Sequence, residues 1–244
     1  MLESLSGEKP MPKAENPDVL KAVYAAMLKK LEAGNVPTHY LYSGQTIFRS
    51  INPNSEYTPL KKPKAGGHVR KADVDKLLIP GPESLENRFT GPSHNKGIYS
   101  ARGLYFVLQQ QALINEMMYY SGKLGESALS GRCVLGVRVT GPVLIADLSP
   151  HTPNVAAFLK DLKPGLTIDE MLDPDDYSVA RGIGLAIAHS GVLKGLSTET
   201  ARPSERSPEE RGDNLVTFGL RGLEVEKVYF FFGKSALPDV FPVG

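Results

Sequence analysis

The sequence predicts a single mixed domain of the α+β class, and three observations lead to this prediction. The chain has 244 residues, enough to bury the core of one large domain or of two small ones. Short strand-like runs are interspersed with helical patterns, and there is no internal repeat. Near the C-terminus, the continuous apolar run at 229–232 is typical of a central strand that is buried on both faces.

An amphipathic helix is predicted over residues 15–36. Asn16 is a favourable cap, Pro17 suits the first helical position, and Gly34 is a helix terminator. Apolar side chains recur between them at helical spacing: Val19, Leu20, Val23, Tyr24, Met27, Leu28 and Leu31. We expect this stripe to pack on the protein's own domain, with packing on a partner as the alternative.

The main domain is predicted over residues 37–244, after a polar N-terminus at 1–14 that we expect to be mobile. Its apolar patterns predict several further elements: strands at 46–49, 103–107, 133–139, 142–148, 214–220 and 225–232, and helices at 109–121, 154–162 and 177–189. Residues 52–86 are rich in Pro, Gly and Lys. They predict a long loop, either functional or a mobile cover.

Composition excludes several classes of protein. The formal net charge is +1, so no bulk field favours nucleic acid or an anionic membrane. The sequence has no apolar run long enough to span a bilayer, and its start lacks the apolar centre of a signal peptide. The one cysteine, Cys133, lies in an apolar run and is expected to be a small buried hydrophobe. A cytoplasmic protein is therefore the expectation.

Metal and dinucleotide-loop motifs are weak. The five histidines are scattered, and none is paired with another His or Cys at ligand spacing, so no metal is expected. Gly182-Ile183-Gly184 lies within a helical pattern and has no third glycine at the dinucleotide spacing.

Glu116 is the most unusual residue of the predicted 109–121 helix. It lies within the apolar stripe formed by Ala112, Leu113, Met117 and Tyr120, where a carboxylate costs several kcal/mol unless it is paired. Such a residue is either part of a structural ion pair or part of a site.

Three segments of the sequence carry distinctive motifs in a fixed order. The first is Phe48-Arg49, at the end of an early strand. The second runs from Asn-Arg-Phe-Thr-Gly at 87–91 through Gly-Leu-Tyr-Phe at 103–106 to Glu116, eleven residues after Tyr105. The third is Gly-Leu-Ser-Thr-Glu-Thr-Ala-Arg at 195–202, followed by Gly-Asp-Asn-Leu-Val-Thr-Phe at 212–218. Taken in order, these segments resemble the RES domain family, and the resemblance covers about residues 40–220.

This resemblance implies a fold like that of ADP-ribosyltransferase toxins, with a cleft for NAD as the substrate. It also implies a bacterial toxin of a toxin–antitoxin system that breaks the nicotinamide–ribose bond, by hydrolysis or phosphorolysis. A protein ADP-ribosyltransferase is the first alternative, and a non-catalytic nucleotide-binding or interaction module is the second. The expected protein partner is a helix-turn-helix antitoxin that blocks the cleft. Whether the protein forms a homo-oligomer is left open.

The resemblance assigns catalytic roles to Glu116, Arg49 and Tyr105. Arg49 would anchor phosphate or ribose oxygens with its forked donors, and Tyr105 would offer a stacking face and an orienting hydroxyl. Glu116 would bind a ribose hydroxyl and stabilise the ribosyl cation. Either Arg49 or Arg88 could instead be the ion-pair partner of Glu116.

The resemblance assigns NAD binding to Arg88, Tyr99 and Thr200. Tyr99 and Tyr105 compete for the family's tyrosine. Thr200 takes the place of the family's serine, and Ser197 and Ser204 are rival placements.

Overall fold

A computed structural model of the protein describes residues 15–53, 60–79, 88–91, 101–114, 130–173, 175–199, 213–219, 222–232 and 238–244. In these residues nine strands form one sheet, in the order β1-β5-β6-β7-β3-β2-β4-β8-β9. The strands are β1 (Thr38–Leu41), β2 (Thr46–Ile51), β3 (Leu104–Val107), β4 (Cys133–Val139), β5 (Val143–Asp147), β6 (Gly195–Glu199), β7 (Asp213–Thr217), β8 (Leu223–Phe230) and β9 (Asp239–Pro242).

Helices accompany this sheet, so the predicted mixture of helices and strands is confirmed. They are α1 (Pro17–Glu32), α2 (Lys71–Asp75), α3 (residues 110–114), α4 (Val155–Leu162), α5 (Ile168–Met171) and α6 (Ser178–Ser190), with a 3-10 turn at Lys76–Leu78. Neighbouring strands are antiparallel except for the parallel pair β5 and β6. Within the described ranges, no helix has the length and apolar character needed to cross a membrane.

Helix α1 begins and ends as its sequence predicts. The Oδ1 atom of Asn16 accepts hydrogen bonds from the backbone N–H groups of Asp18 (3.1 Å) and Val19 (3.3 Å). These bonds satisfy two of the donors that a helix N-terminus leaves open. The helix ends at Glu32, and Gly34 follows with a φ of +67°, which glycine adopts without steric cost.

The apolar stripe of α1 packs on the protein's own domain, as predicted. Val23, Met27 and Leu31 are buried in one apolar cluster with residues of α4, α6 and the sheet. A Cβ added at Gly182 of α6 would lie 2.9 Å from the carbonyl oxygen of Leu20. The two helices therefore approach so closely that α1 leaves no room for a side chain at position 182.

Different segments cover the two faces of the sheet. On the face that we call the helix face, α1, α4 and α6 pack against Ala146, Leu196 and Val216. On the opposite face, which we call the cover face, the segment 60–78 packs with strand residues that include Ile47 and Leu104.

The long loop predicted over 52–86 contains regular structure in its middle. Residues 71–78 form α2 and the 3-10 turn, and Leu60, Val74 and Leu77 are buried against the sheet. Residues 60–79 are therefore a packed cover, because their few apolar side chains are buried against the cover face of the sheet.

The apolar run at 229–232 predicts a central strand, but β8, the strand that contains its first residues, lies near the edge of the sheet. Its neighbours are β4 and the edge strand β9, so β8 is the second strand from the edge and not central. The strand also ends at Phe230, two residues before the end of the apolar run. Phe231 is nonetheless buried, in a small cluster with α3. The run is apolar because both faces of this part of the chain are covered.

Cys133 begins β4 and is fully buried, as expected for a small hydrophobe. Burial raises the pKa of its thiol to about 12. The thiolate is therefore negligible near neutral pH, which disfavours a role for Cys133 as a nucleophile.

Replacing Gly184 with alanine is expected to destabilise the protein by about 3 kcal/mol, as overpacked cores do. A Cβ at this position in α6 would overlap the carbonyl oxygen of Phe89, a backbone atom that has little freedom to move. The overlap should outweigh the gain of about 1 kcal/mol in helix propensity. Gly141→Ala is the matched control, because a Cβ there has no neighbour within 4 Å. Urea unfolding of both variants is the measurement, and equal stabilities would contradict the packing described for α6.

Candidate active site

The sheet is discontinuous between β2 and β3. Phe48 pairs with both Gly136 of β4 and Val107 of β3, and the Phe48–Val107 pair is the one ladder pair between these two fully described strands. Past Phe48, β2 continues to pair with β4, while β3 is paired along its length with β7. We call the region between Arg49–Ile51 of β2 and Leu104–Phe106 of β3 the sheet break.

Arg49 and Tyr105 border this break from opposite sides. Side chains alternate along a strand, so Arg49 shares the cover face with Ile47 and Ile51. Tyr105 shares the helix face with Val107 and packs against the cluster beneath α1 and α6. Arg49 is half-buried, and its Nη1 atom is fully buried. The structure therefore brings the two predicted residues to one break but places them on different faces.

A turn at residues 88–91 holds Tyr105 in place. The Tyr105 hydroxyl accepts a hydrogen bond of 2.8 Å from the backbone N–H of Phe89. Gly91 pairs with Ala101, and its φ of +132° is a conformation that suits glycine. Arg88 and Tyr105, two residues of the second RES-like segment, are thus linked through the hydrogen bond of Phe89, the residue next to Arg88.

The Arg88 side chain contacts two residues that flank helices α5 and α6. Its Nη1 atom donates to the carbonyl oxygen of Leu172, and its guanidinium carbon lies 5.2 Å from the centroid of the Tyr177 ring. A cation over an aromatic face is attracted to the ring's negative surface. These contacts fix the direction of Arg88, and its assignment to NAD binding stays a prediction.

Arg181 is a residue that the sequence analysis missed. It is only 5% exposed. Its Nε atom donates to the carbonyl oxygen of Thr90 at 3.0 Å, and its Nη1 atom donates to the carboxylate of Glu15 in a buried ion pair. Its guanidinium also lies 5.5 Å from the Tyr177 centroid. Arg181 thereby ties the start of α1 to the 88–91 turn.

A signal for Arg181 is present in the sequence. It is the one charged residue in a run of ten buried helical residues, 178–187. Burial lowers the pKa of the Arg181 guanidinium from its usual value. Like Glu116, Arg181 is a charged residue surrounded by apolar residues in the sequence, a pattern that indicates a paired or functional charge.

A second group of polar residues lies on the cover face, on strands β1, β5, β6 and β7 and just after β5. Ser149 joins two carboxylates: its backbone N–H donates to Asp147 at 3.2 Å and its hydroxyl donates to Asp213 at 3.1 Å. The hydroxyl of Ser197, one of the rival placements for the family's serine, donates to Asp147 at 3.2 Å. His39 lies 3.1 Å from the other oxygen of Asp147.

The pKa values of Asp147 and Asp213 are shifted in opposite directions. Burial acts to raise the pKa of Asp147, but hydrogen bonds from Thr152 and from the Ser149 N–H, together with His39, outweigh it and lower the pKa. Burial raises the pKa of Asp213. The Ser149 hydrogen bond offsets this only in part, and the charge of Asp147 adds to it. Asp147 is therefore the better stabilised anion of the pair.

Four predicted or rival site residues, Tyr99, Glu116, Thr200 and Ser204, lie outside the described residues. The start of the predicted 109–121 helix is present as α3, and the burial of Ala112 and Leu113 confirms this part of the predicted apolar stripe. In the part of the chain that the structure describes, no three His, Cys, Asp or Glu side chains are grouped so as to hold a metal ion.

No protein-family model, curated protein or solved structure matches this chain.

Proposed function

We propose that this protein is an enzyme that breaks the nicotinamide–ribose bond of NAD. The observation that supports this proposal best is the sheet break, because Arg49 and Tyr105, two residues of the RES-like motifs, both border it, although on different faces of the sheet. The hydrogen bond from Phe89 adds the Arg88 turn to the same region.

The residues at the break suit the chemistry of this bond. Its cleavage builds positive charge on the ribose, while the pyrophosphate is an anionic handle that is distant from the reacting carbon. Arg49 is a forked donor that suits phosphate oxygens, and its burial strengthens any charge interaction that it makes. Tyr105 has its hydroxyl oriented by a backbone N–H, so its ring is held in one position beside the break.

In this proposal Glu116 supplies the negative charge near the forming ribosyl cation. In the sequence it follows Tyr105 by eleven residues, within the predicted 109–121 helix whose first residues form α3. Fixed charges placed where charge develops in the transition state are the largest single contribution to many enzymatic rates.

The decisive measurement is proton NMR of NAD incubated with the purified protein, with and without phosphate. Free nicotinamide with ADP-ribose indicates hydrolysis, and nicotinamide with a phosphorylated ADP-ribose indicates phosphorolysis. Intact NAD at high enzyme concentration under both conditions would rule out the proposal.

The Arg49→Gln variant gives a residue-level version of this test. Loss of a charge-assisted hydrogen bond is expected to lower kcat/KM for NAD by about ten- to a hundredfold. Arg138→Gln, on the neighbouring strand β4, is the matched control because its side chain is exposed and lies away from the break. Equal activity of the two variants would remove Arg49 from the mechanism, and thermal unfolding of each would separate lost folding from lost catalysis.

Two further parts of this proposal rest on the resemblance. If a protein accepts the ADP-ribosyl group, intact mass spectrometry of proteins treated with the enzyme and NAD will show the added mass. The proposed protein partner is a helix-turn-helix antitoxin that covers the cleft. Its addition should suppress NAD cleavage.

A further inference from the structure

The Thr198 hydroxyl is buried, and the described residues offer it no hydrogen-bond partner. Thr198 lies in β6 and is 1% exposed, and its Oγ1 atom has no hydrogen-bond partner in the described structure. Buried hydroxyls in native proteins are almost always paired, and valine would fill the same space without an unmet hydroxyl. An unmet hydroxyl in a protein core is therefore a candidate ligand contact.

Thr198 faces the region that the proposed function uses. It shares the helix face with Leu196, because the two residues are two positions apart in one strand. Directly opposite it in β7 is Asn214, and Asn214 is itself opposite Val107 in β3. Tyr105 is two residues from Val107 on the same face. By the usual spacing of cross-strand pairs, Thr198 and Asn214 are about 5 Å apart and Asn214 and Tyr105 about 7 Å.

These three polar side chains lie at the boundary between two apolar clusters. Leu196 and Val216 belong to the cluster beneath α1 and α6, whereas Val107 belongs to the smaller cluster beside α3. Asn214 and Tyr105 are half-buried, in contrast to the neighbouring apolar strand residues. We call Thr198, Asn214 and Tyr105 the Thr198 patch.

We propose that the Thr198 patch recognises an amide-like edge of NAD, one that places a hydrogen-bond donor beside an acceptor. The Asn214 amide offers both a donor and an acceptor, and the Thr198 hydroxyl adds a group that serves in either role. The ring of Tyr105 lies beside them as a stacking surface. NAD carries such an edge twice, at the nicotinamide carboxamide and at the adenine. This inference rests on the proposed function, and it identifies the side chains of the same site that select the substrate.

Thr217 provides a matched control for Thr198. It is 2% exposed and its Oγ1 is likewise buried without a hydrogen-bond partner in the described ranges. It lies in β7 opposite Leu104 and Gly195, and it faces the cover side with Leu104. Thr→Val therefore makes the same chemical change at both positions, but only at Thr198 does it alter the patch.

The test compares wild type, Thr198→Val and Thr217→Val with three substrates: NAD, the 3-acetylpyridine analogue and the hypoxanthine analogue. The first analogue replaces the carboxamide NH₂ with a methyl group, and the second replaces the adenine amino group with oxygen. We expect Thr198→Val to raise KM for NAD by about tenfold, the value of one hydrogen bond, and to lose discrimination against one of the analogues. Thr217→Val should behave as wild type.

The analogue whose discrimination is lost identifies the edge that Thr198 binds. Unchanged KM and unchanged discrimination in Thr198→Val would overturn the inference, even though wild type cleaves NAD. If wild type neither binds NAD by calorimetry nor cleaves it, the proposed function fails, and the inference that rests on it fails too. Thermal unfolding of both variants shows whether the fold is kept. If Thr198→Val does not fold, Thr198→Ser, which keeps the hydroxyl, must retain the discrimination of wild type, and loss of it would count against the inference.

Discussion

Replacing Glu116 with glutamine is expected to lower kcat for NAD cleavage by about a thousandfold, the upper range for loss of one transition-state stabilising group. Glutamine keeps the size and hydrogen-bonding capacity of the side chain but removes its negative charge. The ribosyl cation exists only on the reaction path, so the charge should matter for kcat and much less for NAD binding. The dissociation constant of NAD is therefore expected to change by less than about tenfold.

Single-turnover kinetics and calorimetry of the Glu116→Gln variant separate these two effects. Glu32→Gln, an exposed position at the end of α1, is the control for a general loss of negative charge. If Glu116→Gln cleaved NAD at the wild-type rate, Glu116 would have no part in catalysis and the ion-pair alternative would stand.

Replacing Arg181 with methionine is expected to destabilise the protein by about 3–5 kcal/mol. The side chains of Arg181 and Glu15 are 6% and 7% exposed, so the variant leaves a carboxylate buried without its cation. The carbonyl oxygen of Thr90 also loses its donor. The 88–91 turn should loosen as a result, so we expect activity on NAD to fall along with stability.

The double variant Glu15→Gln/Arg181→Met tests the cause. Removing the uncompensated carboxylate should recover a large part of the lost stability, because a neutral group is less costly to bury than a charge. Arg138→Met, which breaks the exposed pair with Glu224, should cost no more than about 1 kcal/mol. Urea unfolding gives all three values. An Arg181→Met variant as stable as Arg138→Met would show that the buried pair contributes little.

Elements that depend on local signals were predicted well. The cap at Asn16, the proline beside it and the glycine after the helix locate α1 without reference to the rest of the chain. The predicted span 133–139 coincides with β4, because its apolar residues are continuous and bounded by turn residues.

Strands with weaker signals were missed. β1, β6 and β9 have four or five residues each and contain polar or charged side chains. Their pairing with neighbouring strands, and not their composition, makes them strands.

The candidate site, like the fold, could be predicted from the sequence only in part. The sequence indicated Arg49, Tyr105 and Arg88 through motif order, but not that the first two lie on opposite faces of the sheet. Strand alternation is visible in a sequence, whereas the registers that join β3 to β2 and to β7 are not. Arg181 was missed because its partner Glu15 is 166 residues away in the chain.

The sequence by itself thus determined the mixed fold class, the N-terminal helix and the apolar surroundings of Cys133. Only the tertiary structure decided where the sheet breaks, which residues border the break, and why Gly184 and Arg181 occupy their positions. The physical reason is the range of the interactions. Caps, turns and periodicity act over a few residues, and so they are written in the local sequence. Strand register, helix approach and buried ion pairs join residues far apart in the chain, and the packing of the whole domain sets them.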